Sequence, residues 1–391
     1  MADHPPSSSP TGERLEVLRA FKYRIYPTRR QAAALETQLR EACRFYNAAL
    51  QERRDAWRMC RKRIGYYDQQ RQLTEIRAAG DIGIPSVWIA RDVLIRVHLA
   101  FAAFFQRVKA GKKAGYPRFK PANRYRSLGC PQFGSGMGIV SDRLRVLGVG
   151  HIKVKWHREP VGVIKTAVIT HTAGRWYVVF QCEVEASRLP PTKASVGIDV
   201  GLASFATLSD GTSVEAPRYF RSSEQRLRRL QRRLARRQRR SNRRLSAARA
   251  VARALERVRN QRADFQHKLS REIVNEFGSI AVEDLNVRGL ARTRLAKSIH
   301  DAAWASFIDK LAYKAESAGR EFVKVNPSGT SQMCLCGASV PKTMKDRWHE
   351  CAECGLSEPR DFVSAMLIER LGRSRQALTV PIGAVACGAE A

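Results

Sequence analysis

Long apolar runs are missing from this chain of 391 residues. Its most apolar window, Leu94 to Phe105, is interrupted by Arg96 and His98 and falls far short of the roughly 20 residues that a bilayer-spanning helix needs. The opening residues, MADHPPSSSPTGER, lack the apolar centre of a signal peptide and read as a disordered lead over residues 1–14. A disulfide framework is missing too: the nine cysteines are odd in number and uneven in spacing, with Cys43, Cys60, Cys130, Cys182 and Cys387 scattered singly. Membrane is therefore not the expected partner, and a reducing, cytoplasmic and nucleoid-associated setting is. Acid is the last scarcity. Against 70 lysines and arginines stand 36 aspartates and glutamates, a formal charge of +34 that calls for a polyanion. Nucleic acid fits, with affinity expected to fall steeply as salt rises.

With 44% hydrophobic residues the chain can bury a core, and its length suits two to four folded units. RLEVLRAFKYRIY alternates like a strand, after which helical spacing dominates to about residue 110, broken by GIPS at 83–86. The stretch GYPRFKPANRYRS interleaves aromatics with cations. It suits base stacking and phosphate pairing through Tyr116, Arg118 and Lys120, and reads equally well as a solvated linker. From Ile139 to Glu185 the period becomes two, with LRVLGVGHIKVKW, GVIKTAVITHT and WYVVFQCEVEA as three strands. The first strand has no neighbour in sequence, so it is expected to join this later sheet, the helices between forming an inserted lobe.

SVGIDVGLASFATLSDG reads as strand, turn and strand, and opens a new domain. Residues 218–262 are arginine-dense, with Leu227, Leu230 and Leu234 on one helical face and Leu245, Leu255 and Val258 resuming it. Glu224 and Glu256 are the sole acids there, so Arg228, Arg232, Arg236, Arg239 and Arg243 are expected to face an outside anion. Strands GSIAVED and EFVKVN then alternate with a helix around WASFIDKLAYKAESAG, an α/β pattern, and EPRDFVSAMLIERLG closes as a helix with Asp361 in its first turn. No usable pattern follows Arg373.

Asp199 and Glu283 sit on apolar strands, where a carboxylate is costly unless it is paired or holds a cation. Singly, each has an equally good structural reading, and Asp361 could simply favour a helix dipole. Together the three suit phosphodiester hydrolysis by two cations about 3.5–4 Å apart. Magnesium, or manganese, suits such oxygen ligands. Asp284 and Asp210 are the rivals, the first expected on the opposite face from Glu283 and the second in a Ser-Asp-Gly turn; both read as structural. The sequence CLCGASVPKTMKDRWHECAECG sets Cys334 and Cys336 fourteen residues before Cys351 and Cys354, a zinc-ligand pattern. Its first pair is one residue closer than usual. His349 could substitute as a ligand, though it reads better as an ordinary residue on the strand entering the second knuckle.

In KYRIYPTRRQ, RFYNAAL, GYPRFK, GIDVGLASFATLSDG, NQRADFQHKLS, IAVEDLNV, NPSGTSQMC and the passage from CAECG to RDFVSA, the chain resembles the insertion-sequence-encoded TnpB (OrfB) proteins. That family comprises RNA-guided DNA endonucleases related to type V CRISPR effectors. The resemblance implies a wedge β-barrel domain (15–27 with 126–188) carrying a helical recognition insertion (28–125). It further implies an RNase H-like RuvC nuclease domain (189–326 with 357–372), an inserted zinc ribbon (327–356) and a flexible tail (373–391). It places the catalytic, magnesium-holding triad on Asp199, Glu283 and Asp361, and names guide RNA and target DNA as partners, cutting beside a short adjacent motif. Two residues before Asp361 the family's usual acid is replaced by Pro359, and two residues after it the usual Asn by Val363. A cleavage-impaired, RNA-guided DNA-binding regulator and a transposase or its accessory are the alternatives.

Overall fold

A computed structural model describes residues 16–374 apart from Ser187, Ala291, Arg294, Ser328, Ser331, Met344, Lys345 and the side chain of Arg288. The expected disordered lead over 1–14, and the tail beyond 374 with Cys387, lie outside the described residues. Two compact units divide the chain, one reaching Glu185 and the other starting at Ala186.

In the first unit, strand β1 (Glu16–Tyr26) leads into helices α1 (Arg29–Cys60), α2 (Tyr66–Ala78) and α3 (Val87–Lys109). Thr28 caps α1 in a reciprocal box with Gln31, and Leu35, Leu39, Ala42, Tyr46 and Ala49 form the stripe that buries it. Ser86 ends the GIPS break by accepting from the Ile89 N–H, which starts α3. Strands β2 (Ser127–Cys130), β3 (Met137–Val140), β4 (Arg143–Val146), β5 (Gly150–Lys155), β6 (Val163–Thr172) and β7 (Arg175–Glu185) follow. The first strand does join this later sheet, pairing with β7 from Glu16↔Glu185 to Ile25↔Trp176 and with β5 on its other side. The order is β2-β6-β7-β1-β5-β4-β3, all antiparallel, and the sheet curls nearly closed.

One expected strand is really two. LRVLGVGHIKVKW folds back between β4 and β5, because Gly148 and Gly150 adopt positive φ (77° and 96°) and the Val149 N–H reaches the Val146 carbonyl at 3.0 Å. β2 and β3 escape sequence reading because four residues are too few to display alternation.

The second unit opens with β8 (Ser195–Asp199), β9 (Ser204–Leu208) and β10 (Ser213–Glu215), then α4 (Tyr219–Ala235) and α5 (Asn242–Glu276). After β11 (Ser279–Glu283) come α6 (Val287–Leu290), α7 (Ala296–Ala302), α8 (Trp304–Ala318) and β12 (Glu321–Val325). The short hairpin β13 (Trp348–Glu350) and β14 (Ser357–Pro359) precedes α9 (Arg360–Arg373). Arg373, where a tail is expected to begin, is helical and pairs with Glu369 at 2.6 Å. The central sheet runs β10-β9-β8-β11-β12, with β11 parallel to both β8 and β12.

Alternation sorts the strands' two faces. Val196, Ile198, Ile280 and Val282 pack with Leu269, Ile273, Phe307 and Leu311 of α5 and α8. Ala281, Val323 and Val325 instead pack with Ile368 of α9. The expected leucine face of the arginine-dense segment is only partly real. Leu227 and Val258 are buried, but Leu245 and Leu255 are exposed. The helix breaks at Arg236 and restarts at the Ser241 cap, so the buried stripe of α5 runs through Ala247, Val258, Gln266 and Ile273, leaving Leu245 on the far side.

Close approach fixes α9. A Cβ on Gly197 would lie 2.1 Å from the Ala365 carbonyl oxygen and 2.4 Å from the Glu369 nitrogen, and one on Gly372 would lie 2.6 Å from Ala281 Cβ. Gly197→Ala is expected to push α9 off β8 and destabilise this unit by about 1–3 kcal/mol. Urea unfolding measures this loss, and an unchanged midpoint would contradict the packing described.

Candidate active site and cysteine cluster

Position 197 faces α9, so position 199, two residues on, faces the same way. Glu283 follows Val282, which is registered with Ile198, so Asp199 and Glu283 end adjacent parallel strands side by side. Asp361 lies in the first turn of α9. The helix runs antiparallel to β8, with Ala365 over Gly197 and Glu369 beside Ser195, which brings its start to the strands' carboxyl ends. All three expected acids therefore meet on one face.

Their electrostatics record the crowding. Burial first, and then the negative charges of Glu283 and Asp361, push Asp199 up to about 7, while the Arg360 guanidinium opposes the rise. Burial also raises Glu283, although the Thr330 hydroxyl donates to its Oε1 and pulls the other way. A carboxylate cluster of this kind is a site short of positive charge, which is the condition a bound cation relieves. The rivals lie elsewhere. Asp284 is half-exposed beside Lys324 at 3.6 Å, and Asp210 accepts from the Thr212 N–H at 2.8 Å within its turn.

Two neighbours were invisible as functional candidates in the sequence. Thr330 sits in the polar loop NPSGTSQ, where nothing but the family motif marks it. Arg360 Nε lies 3.5 Å from Asp361 Oδ1, and its Nη1 donates to the Thr343 and Asp346 carbonyls at 3.3 and 3.2 Å. One guanidinium thereby connects the cysteine-bearing insertion to the carboxylates. At the two departures, Pro359 is registered with Trp348 in the β13–β14 hairpin and Val363 is buried in the apolar packing of α9.

The sulfur atoms of Cys334, Cys336, Cys351 and Cys354 all lie within 4.8 Å of one another. Two separations, Cys334 to Cys354 at 3.5 Å and Cys336 to Cys351 at 3.7 Å, are close to the edge of about 3.8 Å expected for thiolates at 2.3 Å around one zinc ion. The short first knuckle is accommodated by Gly337, whose φ of 99° turns the chain so that its N–H meets the Cys334 carbonyl at 3.0 Å. The backbone N–H of Cys354 holds the Cys351 thiol down at about 7, favouring a thiolate. His349 lies on β13, fully buried, with its Nδ1 against Lys342 Nζ, and is not among the clustered ligands.

Arg228, Arg232, Arg236, Arg239 and Arg243 are all exposed, the first two on α4, Arg236 and Arg239 in the connection that follows it and Arg243 at the start of α5. Arg228 departs from the expectation of unpartnered cations, because Glu224 one turn away binds it at 2.6 Å and also takes Lys297. Tyr116 is exposed and meets Phe101 and Phe104 edge-on, and Arg118 is exposed beside it. Lys120 is placed differently from a free phosphate contact. Its ammonium is over the Tyr46 ring at 4.6 Å, and Asn47 grips its backbone at both N–H and carbonyl.

Among the described residues no helix is long and apolar enough to cross a membrane. Three family models match the chain: "Probable transposase" over residues 179–294, "Cas12f1-like, TNB domain" over 304–368, and "Helix-turn-helix domain" over 17–62. A "Putative RNA-guided DNA endonuclease" of Streptomyces pristinaespiralis is 34% identical over 386 residues, covering 95% of this chain and 92% of its own. The "Putative RNA-guided DNA endonuclease InsQ" of Escherichia coli K12 is 28% identical, covering 82% and 83%. The Cas12f1 endodeoxyribonuclease of Sulfoacidibacillus thermotolerans is 29% identical over a shorter stretch, 28% of each chain.

Asp199 carries a testable consequence of its own. Between the unfolded-state carboxylate range near pH 4 and the folded value of about 7, the native protein keeps a proton that the unfolded chain has released. The stabilisation is thus complete below that range and is lost as pH rises through about 7. Asp199→Asn cannot ionise, so without divalent metal it should be more stable than wild type at pH 8, by on the order of a few kcal/mol, and melt correspondingly higher. The gap should close toward pH 4. Thermal unfolding in EDTA at the two pH values measures it, and a pH-independent difference would argue against like-charge crowding.

Proposed function

Since this chain belongs to the OrfB (TnpB) family that includes the putative RNA-guided DNA endonucleases of Streptomyces and Escherichia coli, we propose that it cuts DNA chosen by a guide RNA. One observation carries the reading at the level of chemistry: three carboxylates from two strands and a helix crowd together, and one of them is pushed up to about 7 by burial and by the other two.

Asp199, Glu283 and Asp361 would hold the divalent cations, magnesium or manganese, in a RuvC-like, RNase H-type nuclease domain. Bound there, such cations supply Lewis-acid stabilisation of the charge that develops on phosphate oxygens. The chain's own contribution is placement. Thr330 fixes one oxygen of Glu283 by donating to it, leaving the other to turn toward the site. Arg360 balances part of the negative charge, and its hold on backbone carbonyls keeps it from collapsing fully onto Asp361. The four cysteines would hold zinc in a ribbon whose loop anchors that guanidinium. The exposed arginines of α4 and α5, with Tyr116 and Arg118, are proposed contacts to the strands of guide and target.

Purified with its guide RNA and given matched DNA and magnesium, the protein is expected to yield cut products with free ends. Asp199→Ala, Glu283→Ala and Asp361→Ala should each lower the rate about a thousandfold or more, while DNA binding survives. Binding without cutting in the wild type would favour a regulator, and joined products a strand-transferring transposase. For the ribbon, metal analysis should find one zinc per chain. Cys351→Ser should lose it and lower the melting temperature of its unit, and a full zinc complement in that variant would exclude the four-cysteine site.

A further inference from the structure

A recess of about 380 Å³ opens in the second unit beside the turn that follows Asp199, bordered by Gly201 and Leu202 on that turn. None of the acids of the triad lines it. Phe265, partly exposed, contributes an aromatic wall, with the buried Phe205 behind it edge-on at a centroid distance of 5.0 Å. Arg218, Arg221 and Arg262 stand around it, and Asp301 is the one acid lining it. That carboxylate is already committed, accepting from the backbone N–H groups of Phe220 and Arg221 at 2.9 and 3.2 Å. The lining thus combines apolar and aromatic groups with Arg218 and Arg221, while Arg262 is held by the His300 and Asp301 carbonyls and Asp301 by its two N–H donors.

The recess is built rather than incidental. Arg218 takes φ 47°, a conformation that L side chains rarely adopt, and so does Ala303 at φ 53° just beyond Ala302 in the lining. Side chains from distant parts of the chain secure both turns. Asp301 holds the start of α4 after Arg218, and Gln266 donates to the Ala302 and Ala303 carbonyls at 3.1 Å each. Strain maintained this way is commonest where a ligand must be met.

We infer that this recess takes one unstacked nucleotide of a bound strand, its base against Phe265 and Leu202 and its phosphate toward Arg221 and Arg218. The volume lies within the range of small-ligand pockets, and base-on-aromatic contact with arginine at the rim is the chemistry of single-strand binding. Because Leu202 belongs to the turn that follows Asp199, a nucleotide seated here would anchor a strand to be cut at the end of β8, on the sheet face opposite α9. That consequence rests on the nuclease reading; occupancy of the recess does not.

The test is photocrosslinking to the full chain in EDTA, so that cutting plays no part. The probes are a short oligodeoxynucleotide with one 5-iododeoxyuridine and the matched oligoribonucleotide with one 5-iodouridine. Crosslinked peptides containing Phe265 are expected, with the two arms telling whether a DNA or an RNA strand supplies the nucleotide. Leu202→Trp, which fills the recess, should remove that crosslink and weaken oligonucleotide binding about tenfold. Arg221→Ala, an exposed position that does not threaten folding, should weaken both without abolishing them. Asp199→Ala should keep the crosslink even where cutting is lost, which separates failure of the nuclease reading from failure of this one. Crosslinks that map elsewhere with both probes, or that persist at Phe265 in Leu202→Trp, would overturn the assignment.

Discussion

Where β8 carries Gly197, α9 can lie against the strand at backbone distance, with the Ala365 carbonyl and the Glu369 nitrogen occupying the space a side chain would need. The contact sets the height of the helix above the sheet, and Gly372 over Ala281 sets it again one strand away. Everything chemical in the second unit follows from it. The acids at 199 and 283 face the helix by alternation, and the helix must begin where the strands end for the carboxylate at 361 to meet them. Without this close approach the three acids would be ordinary half-buried residues on separate elements.

The charge so concentrated is unstable by itself, and the surrounding chain compensates only in part. Arg360 is one cation set against three carboxylates, and its guanidinium is divided between Asp361 and two loop carbonyls. Asp199 is raised first by burial and then by the two neighbouring acids, which Arg360 offsets only in part. That deficit is local, because the protein as a whole has +34 to spare, yet the arginines lie along α4 and α5 rather than at the carboxylates. Segregating the two signs gives one region a field suited to a polyanion and leaves the other poor in positive charge.

Much of this was legible before any coordinates. Asp199 and Glu283 announced themselves because a carboxylate inside IDV or AVED contradicts its apolar neighbours, and the cysteine spacing implies convergence whatever the fold. What stayed hidden were relations without local pattern. The fold-back at Gly148 looked like a continuing strand because alternation resumes in phase on both sides. Leu245 and Leu255 looked like core because helical spacing was carried across the break at Arg236, where a new cap resets which face is buried. Lys120 looked like a phosphate contact, since no sequence rule places Asn47 and Tyr46 beneath it. Arg360 and Thr330 are visible only once the insertion folds back onto the sheet.

The departures from the family pattern near Asp361 can be weighed the same way. An Asn at 363 would offer a polar group, but Val363 is buried in the packing of α9, so here the position serves the helix's seat on the sheet. Pro359 cannot supply the acid usual at its position. Its fixed φ and missing N–H instead suit the junction between β14 and α9, just ahead of the helical turn that starts with Arg360. Both substitutions exchange peripheral polarity for rigidity in the element that brings Asp361 to its partners. The demand for positive charge thereby falls on Arg360, so the loop carbonyls of Thr343 and Asp346 that anchor Arg360 become part of the electrostatics of the site.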